Sequence, residues 1–98
     1  MKYLTRFYVG LQDKDNKLSH SVDELVAILN KTYLAYTLIK ARGCYTYDNG
    51  DYTNEDTYIV EIFHEGSIAL AETIDEIKQK LNQECVLVYT QNVQAYCV

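Results

Sequence analysis

The first apolar run, residues 2–9 (Lys-Tyr-Leu-Thr-Arg-Phe-Tyr-Val), is aromatic and β-branched and stops at Gly10, the signature of a strand. A polar stretch without periodicity follows at residues 12–17 and reads as a turn. Ser21 then stands three residues before Glu24, the spacing of a capping box, and Asp23 shares the favourable first turn. Val22, Leu25, Val26, Leu29 and Tyr33 recur at helical spacing and predict a helix over residues 21–33. Residues 36–47 are again strand-like, interrupted by Gly43, where a bulge or a close helix approach is expected. Asp48-Asn49-Gly50-Asp51 is a strong turn signal, because Asn and Gly accept positive φ. A third strand follows at residues 57–64. Gly66-Ser67 opens a second helix with Ile68, Leu70, Ala71, Ile74, Ile77 and Leu81 along one stripe. Residues 84–89 form the fourth strand, and the alternating tail 92–98 is a candidate extension of the sheet.

The order is therefore β-α-β-β-α-β. With right-handed crossovers this is the split βαβ, or ferredoxin-like, arrangement: an α+β domain with a four-stranded antiparallel sheet in spatial order 4-1-3-2 and two helices on one face. The length of 98 residues fits one domain, residues 1–98, because a second would be too small to bury its own core. The other face of the sheet is left open, and it is there that such a domain dimerises or binds.

Strand alternation sorts the side chains between the faces. Phe7, Val9, Ile39, Ala41, Val60, Ile62, Val86 and Val88 are expected toward the helices. Arg6, Tyr8, Lys40, Arg42, Glu61, Phe63, Leu87 and Tyr89 fall on the open face, with Arg6, Glu61 and Arg42 in a row across it. Two readings of that row stay open. One is a solvated cross-strand charge ladder. The other is a recognition surface in which the basic side chains hold a phosphate-like group and Tyr8, Tyr45, Phe63 and Tyr89 stack on a base. His64, at the end of the third strand, is either a ligand contact or a half-exposed strand-end residue, whereas His20 is a turn residue.

Composition narrows the function classes. Ten tyrosines in 98 residues, with no proline, suit strands and half-wet interfaces. The formal charge of −5, from 14 acidic and 9 basic residues, repels phosphate backbones and argues against duplex nucleic acid as a partner. Cys44, Cys85 and Cys97 form no CxxC pair and no signal-peptide pattern precedes them, so they are expected as reduced, buried thiols in a cytoplasm, which the resemblance below makes that of a host cell. No stretch approaches the roughly 20 apolar residues that span a bilayer. Nucleophile elbows, Gly-rich phosphate loops, HExxH and paired carboxylates are absent, and Asp13, Asp15 and Glu24 lack the spacing of a calcium loop. Nothing in the chain marks catalysis, a cofactor or a metal.

Three segments carry a resemblance: residues 7–11 (Phe-Tyr-Val-Gly-Leu) with the polar turn 13–17, residues 41–45 (Ala-Arg-Gly-Cys-Tyr) before an Asn-Gly turn and residues 54–57, and residues 81–87 (Leu-Asn-Gln-Glu-Cys-Val-Leu). In these the chain resembles a group of small bacterial and phage proteins classed as a domain of unknown function. The resemblance implies the fold and a phage or prophage origin. It suggests a non-enzymatic anti-defence protein, a homo-oligomeric sponge that sequesters a nucleotide-type immune signal. Arg6, Tyr8, Lys40, Arg42, Tyr45, Glu61, Phe63 and His64 are the expected ligand contacts. The alternative is an inhibitor that docks on a host defence protein through an acidic surface or a sheet edge. A third class, an enzyme of the dimeric α+β barrel kind, has only fold analogy behind it.

Overall fold

The computed structural model describes every residue except Met1, Lys17 and Tyr47, together with the side chain of Tyr45. The elements are β1 (Tyr3–Gly10), α1 (Val22–Leu29), β2 (Thr37–Thr46), β3 (Tyr52–His64), α2 (Ala71–Lys80) and β4 (Leu87–Asn92). Among the described residues the four strands form one sheet in the order β2-β3-β1-β4, every neighbouring pair antiparallel. The ferredoxin-like α+β arrangement expected from the sequence is present.

α1 begins where the capping box places it. Ser21 Oγ accepts from the Asp23 N–H and the Glu24 carboxylate accepts from the Ser21 N–H, which satisfies donors that a helix start otherwise leaves bare. The helix ends at Leu29 rather than at residue 33, and Asn30 caps it. Tyr33 still reaches the core and donates its hydroxyl to the Ala69 carbonyl. Leu25 and Leu29 of α1, Ile77 of α2, Phe7 of β1 and Val60 of β3 are fully buried at the centre of one cluster. Each such side chain contributes about 1.5–3 kcal/mol by leaving water.

Other boundaries depart from the sequence reading. α2 starts at Ala71, not at Gly66-Ser67: Gly66 turns the chain with φ +64 and no side chain caps the helix at Leu70. Ile68 and Leu70 are half-buried against the core from this segment ahead of the helix. β4 is shifted to Leu87–Asn92, where it pairs with β1 from Tyr8↔Leu87 to Tyr3↔Asn92. Of the tail, Asn92 lies in the strand, and Val93 adds one backbone bond to the Lys2 carbonyl. β3 is longer than expected: residues 52–56 pair with β2 beyond the last β1 pairing, Gly10↔Thr57, and extend the hairpin as a two-stranded arm.

No bulge occurs at Gly43. The β2–β3 register runs unbroken from Thr37↔Glu61 to Thr46↔Tyr52. Gly43 sits instead at a close approach to the neighbouring strand, since a Cβ there would lie 2.6 Å from Thr57 Oγ1.

That register reverses the faces of β2. Leu38 pairs with fully buried Val60 and packs on the core, so Lys40 and Arg42 lie on the helix side of the sheet, opposite Tyr58 and Asp56. Ile39 instead lies on the open face, 39% exposed, together with Ala41. Two adjacent apolar residues, Leu38 and Ile39, fit a period of two in either phase, and pairing with Val60 chooses between them. Lys40 and Arg42 remain exposed and keep their charges in water. The expected row of Arg6, Glu61 and Arg42 does not form.

Candidate functional site

The open face concentrates its polar chemistry on three neighbouring strands. Arg6 of β1 stands between Glu61 of β3 and Tyr89 of β4 in the pairing register. Its Nε donates to Glu61 Oε2 at 2.6 Å, its Nη2 pairs with the same oxygen, and its Nη1 donates to the Tyr89 hydroxyl at 2.9 Å. Because both contacts to Glu61 use Oε2, the guanidinium fixes the carboxylate without covering Oε1. The Tyr89 hydroxyl first, and then Glu61, hold the Arg6 pKa above its ordinary value. Tyr8 stacks beside Tyr89 with ring centroids 6.4 Å apart. Its hydroxyl pKa is raised, chiefly by the hydrogen bond with Tyr89 and then by partial burial, so it remains a protonated donor.

Glu61 also borders a groove of about 430 Å³ lined by Tyr36, Thr37, Phe63, Ala95, Tyr96 and Cys97, with Ala35 at its end. The volume lies within the range of small-molecule sites. Thr37 is the residue of β2 opposite Glu61, and residues 95–97 of the tail form one wall. Sequence reasoning placed Arg6, Tyr8, Glu61, Phe63, Leu87 and Tyr89 on this face, where the register puts them. It missed Tyr36, Thr37 and Tyr96. The alternating tail is the signal for Tyr96, but alternation by itself predicts a strand rather than a wall.

The remaining expected contacts lie elsewhere. Lys40 and Arg42 are on the opposite side of the sheet. The backbone of Tyr45 pairs with Thr53 at the far end of the hairpin arm, and its side chain lies outside the described residues. His64 also faces the helix side, hydrogen-bonded to Thr5. The cysteines are free but exposed, not buried as expected. Among the described residues no group of three or more His, Cys, Asp or Glu side chains is placed to hold a metal ion.

Asp13 serves the loops instead. Its carboxylate accepts from the backbone N–H groups of Asp15 and Asn16 and from Asn82 Nδ2 at 2.8 Å, and it faces His20 Nε2 at 3.1 Å. It thereby ties the β1–α1 loop to the α2–β4 loop. No described helix is long and apolar enough to cross a membrane.

No family model and no curated protein matches the chain. Solved structures do. A phage SAM lyase in complex with S-methyl-5′-thioadenosine has a TM-score of 0.63 and 21% identity, over 93% of this chain and 81% of that one. A phage SAM lyase in the apo state has a TM-score of 0.67 and 20% identity, over 92% of this chain and 79% of that one. These likenesses correct the expectation of a non-enzymatic sponge: both of these solved proteins, which share the fold over most of their length, are lyases. The missing catalytic motifs were therefore no argument against catalysis. By fold, the chain is similar to phage SAM lyases.

Proposed function

We propose that the chain is a phage-derived enzyme that cleaves S-adenosylmethionine and releases S-methyl-5′-thioadenosine at the Arg6–Glu61 groove. The observation that carries this reading is the fixed Glu61 carboxylate beside aromatic side chains, since only one of its oxygens is engaged by Arg6. A carboxylate and aromatic faces are the groups that attract a compact organic cation such as a sulfonium or ammonium. Phe63, Tyr36 and Tyr96 offer faces on which an adenine can stack.

The chemistry needs no protein nucleophile. The sulfonium sulfur holds three carbons, and the bond to the four-carbon amino-acid chain breaks with its electron pair passing to sulfur, which leaves as a neutral thioether. The substrate's own carboxylate takes the vacated carbon, forming a C–O bond and closing a five-membered lactone. No water enters and no proton moves. Opposite charges on the substrate are cancelled as the bond forms, so the step is favoured over the same step in solution once the aromatic groove is covered and water is excluded. Holding the flexible substrate folded, with carboxylate near carbon, supplies the rest. Glu61 Oε1 holds the substrate cation, and Arg6 keeps Glu61 in place.

Ile39, Phe63 and Leu87 are exposed on the open face. A second copy covering them would enclose the groove, which supports a homo-oligomer.

The test is incubation of the purified chain with S-adenosylmethionine, with chromatography of S-methyl-5′-thioadenosine against a buffer control. Enzyme-dependent release is expected. For Glu61→Gln, KM should rise about ten- to a hundred-fold, the range for losing a hydrogen bond to a charged group, with a smaller change in kcat. No release above buffer, or binding of the substrate without turnover, overturns the reading.

A further inference from the structure

On the helix side of the sheet, where the ends of β1, β3 and β4 meet residues 66–70, lies a cleft of about 390 Å³. Its lining joins Thr5, His64, Ser67 and Thr90 with Tyr3, Gly66, Ile68 and Leu70. Three of the polar side chains form a chain of hydrogen bonds: Thr90 Oγ1 to Thr5 Oγ1 at 2.7 Å, and Thr5 Oγ1 to His64 Nε2 at 2.8 Å. At the other end His64 Nδ1 lies 2.8 Å from the Gly66 carbonyl, and the Tyr3 ring stacks on the imidazole at 5.6 Å.

The direction of this relay follows from counting protons. A carbonyl only accepts, so Nδ1 carries the hydrogen, and Nε2 of the neutral ring is an acceptor. Thr5 must then give its single hydroxyl proton to Nε2. With that proton used, Thr5 Oγ1 can only accept from Thr90. Thr90 in turn has spent its proton inward, so its exposed hydroxyl presents lone pairs to the cleft and no donor. Thr5 is 1% exposed, which isolates the relay from water along its middle and leaves Thr90 as its outlet.

We infer that this cleft is a second ligand site, selective for a largely apolar small molecule that carries a hydrogen-bond donor such as a hydroxyl. Ile68 and Leu70 receive the apolar body, and Thr90 Oγ1 accepts the donor. The volume fits a ligand of that size. The site is on the opposite side of the sheet from Glu61, so it stands apart from the proposed lyase groove.

The probes are phenol and toluene, matched in shape and differing in the donor, titrated into the labelled full chain while methyl NMR signals are followed. Phenol should shift the signals of Ile68, Leu70 and Thr90 and bind about two- to ten-fold tighter than toluene, the range for one net hydrogen bond. Thr90→Val, at an exposed position, should abolish the preference without unfolding the chain. Thr5→Val, which nearly conserves volume, should also weaken it by freeing the Thr90 proton to point outward. A relay that merely latches the strand ends predicts otherwise. The inference is overturned if neither probe moves these signals up to the solubility limit of toluene, if both bind equally, or if Thr90→Val keeps the preference. Glu61→Gln should leave phenol binding unchanged, so failure here and failure of the lyase reading are separately visible.

Discussion

Replacing Gly43 with alanine tests the strand register at its tightest point. The added Cβ would lie 2.6 Å from Thr57 Oγ1 and 3.3 Å from Glu55 Cγ. Comfortable non-bonded separations are about 3.5–4.0 Å, so the threonine contact is short by about 1 Å. The Glu55 side chain is long and can yield, but Thr57 is β-branched and stiff at χ1. Forcing it off its rotamer costs about 0.5–1.5 kcal/mol. Against that, removing a glycine restricts the unfolded chain and stabilises by about 0.4–1 kcal/mol. The terms nearly cancel, and the single substitution should destabilise by at most about 1 kcal/mol. The coupling is therefore the decisive quantity. In a Thr57→Ala background the obstructing hydroxyl is gone, and Gly43→Ala should stabilise by about 0.4–1 kcal/mol. Urea denaturation of the four proteins of this double-mutant cycle, with slopes compared to confirm two-state behaviour, gives the coupling directly. If Gly43→Ala has the same effect in both backgrounds, Thr57 is not what demands glycine and the register is wrong.

Arg6→Met should slow release of S-methyl-5′-thioadenosine by loosening Glu61, while the melting temperature falls only slightly because the ion pair is partly solvated. Asp13 gives the chain an acid limit. The Asp15 N–H first, and then Asn82, lower its carboxyl pKa from 3.8 to about 2; a depressed pKa means that its stabilisation is complete above 3.8 and is lost as the pH falls through about 2. Melting temperatures followed down that window should fall more steeply for the native chain than for Asp13→Asn. Leu29→Ala, at a fully buried position, should destabilise by about 2–5 kcal/mol in urea denaturation. All three cysteines are exposed, so a thiol reagent should titrate them in the native protein, and a count that rises on unfolding would contradict the structure.

What the sequence determined by itself was whatever local chemistry decides. The Ser21–Glu24 capping box fixes the start of α1 because both partners lie within one turn. The alternation of β- and α-type segments, with the handedness rule, leads to the sheet order, and aromatic and charged residues on β1, β3 and β4 mark Arg6, Tyr8, Glu61 and Tyr89 as one face. Tertiary pairing decided the rest. The face of β2 hung on whether Leu38 or Ile39 met Val60, a contact between strands that adjacent apolar residues leave ambiguous. A one-residue phase error was enough to move Lys40 and Arg42 across the sheet. The start of α2 depended on Ile68 and Leu70 finding the core ahead of the helix, and the wall built by residues 95–97 depended on where the tail crosses the open face. The proposed lyase reading has no sequence motif for a chemical reason: a substrate that supplies its own nucleophile and leaving group would ask a protein for shape and charge, and those are properties of a groove rather than of a motif.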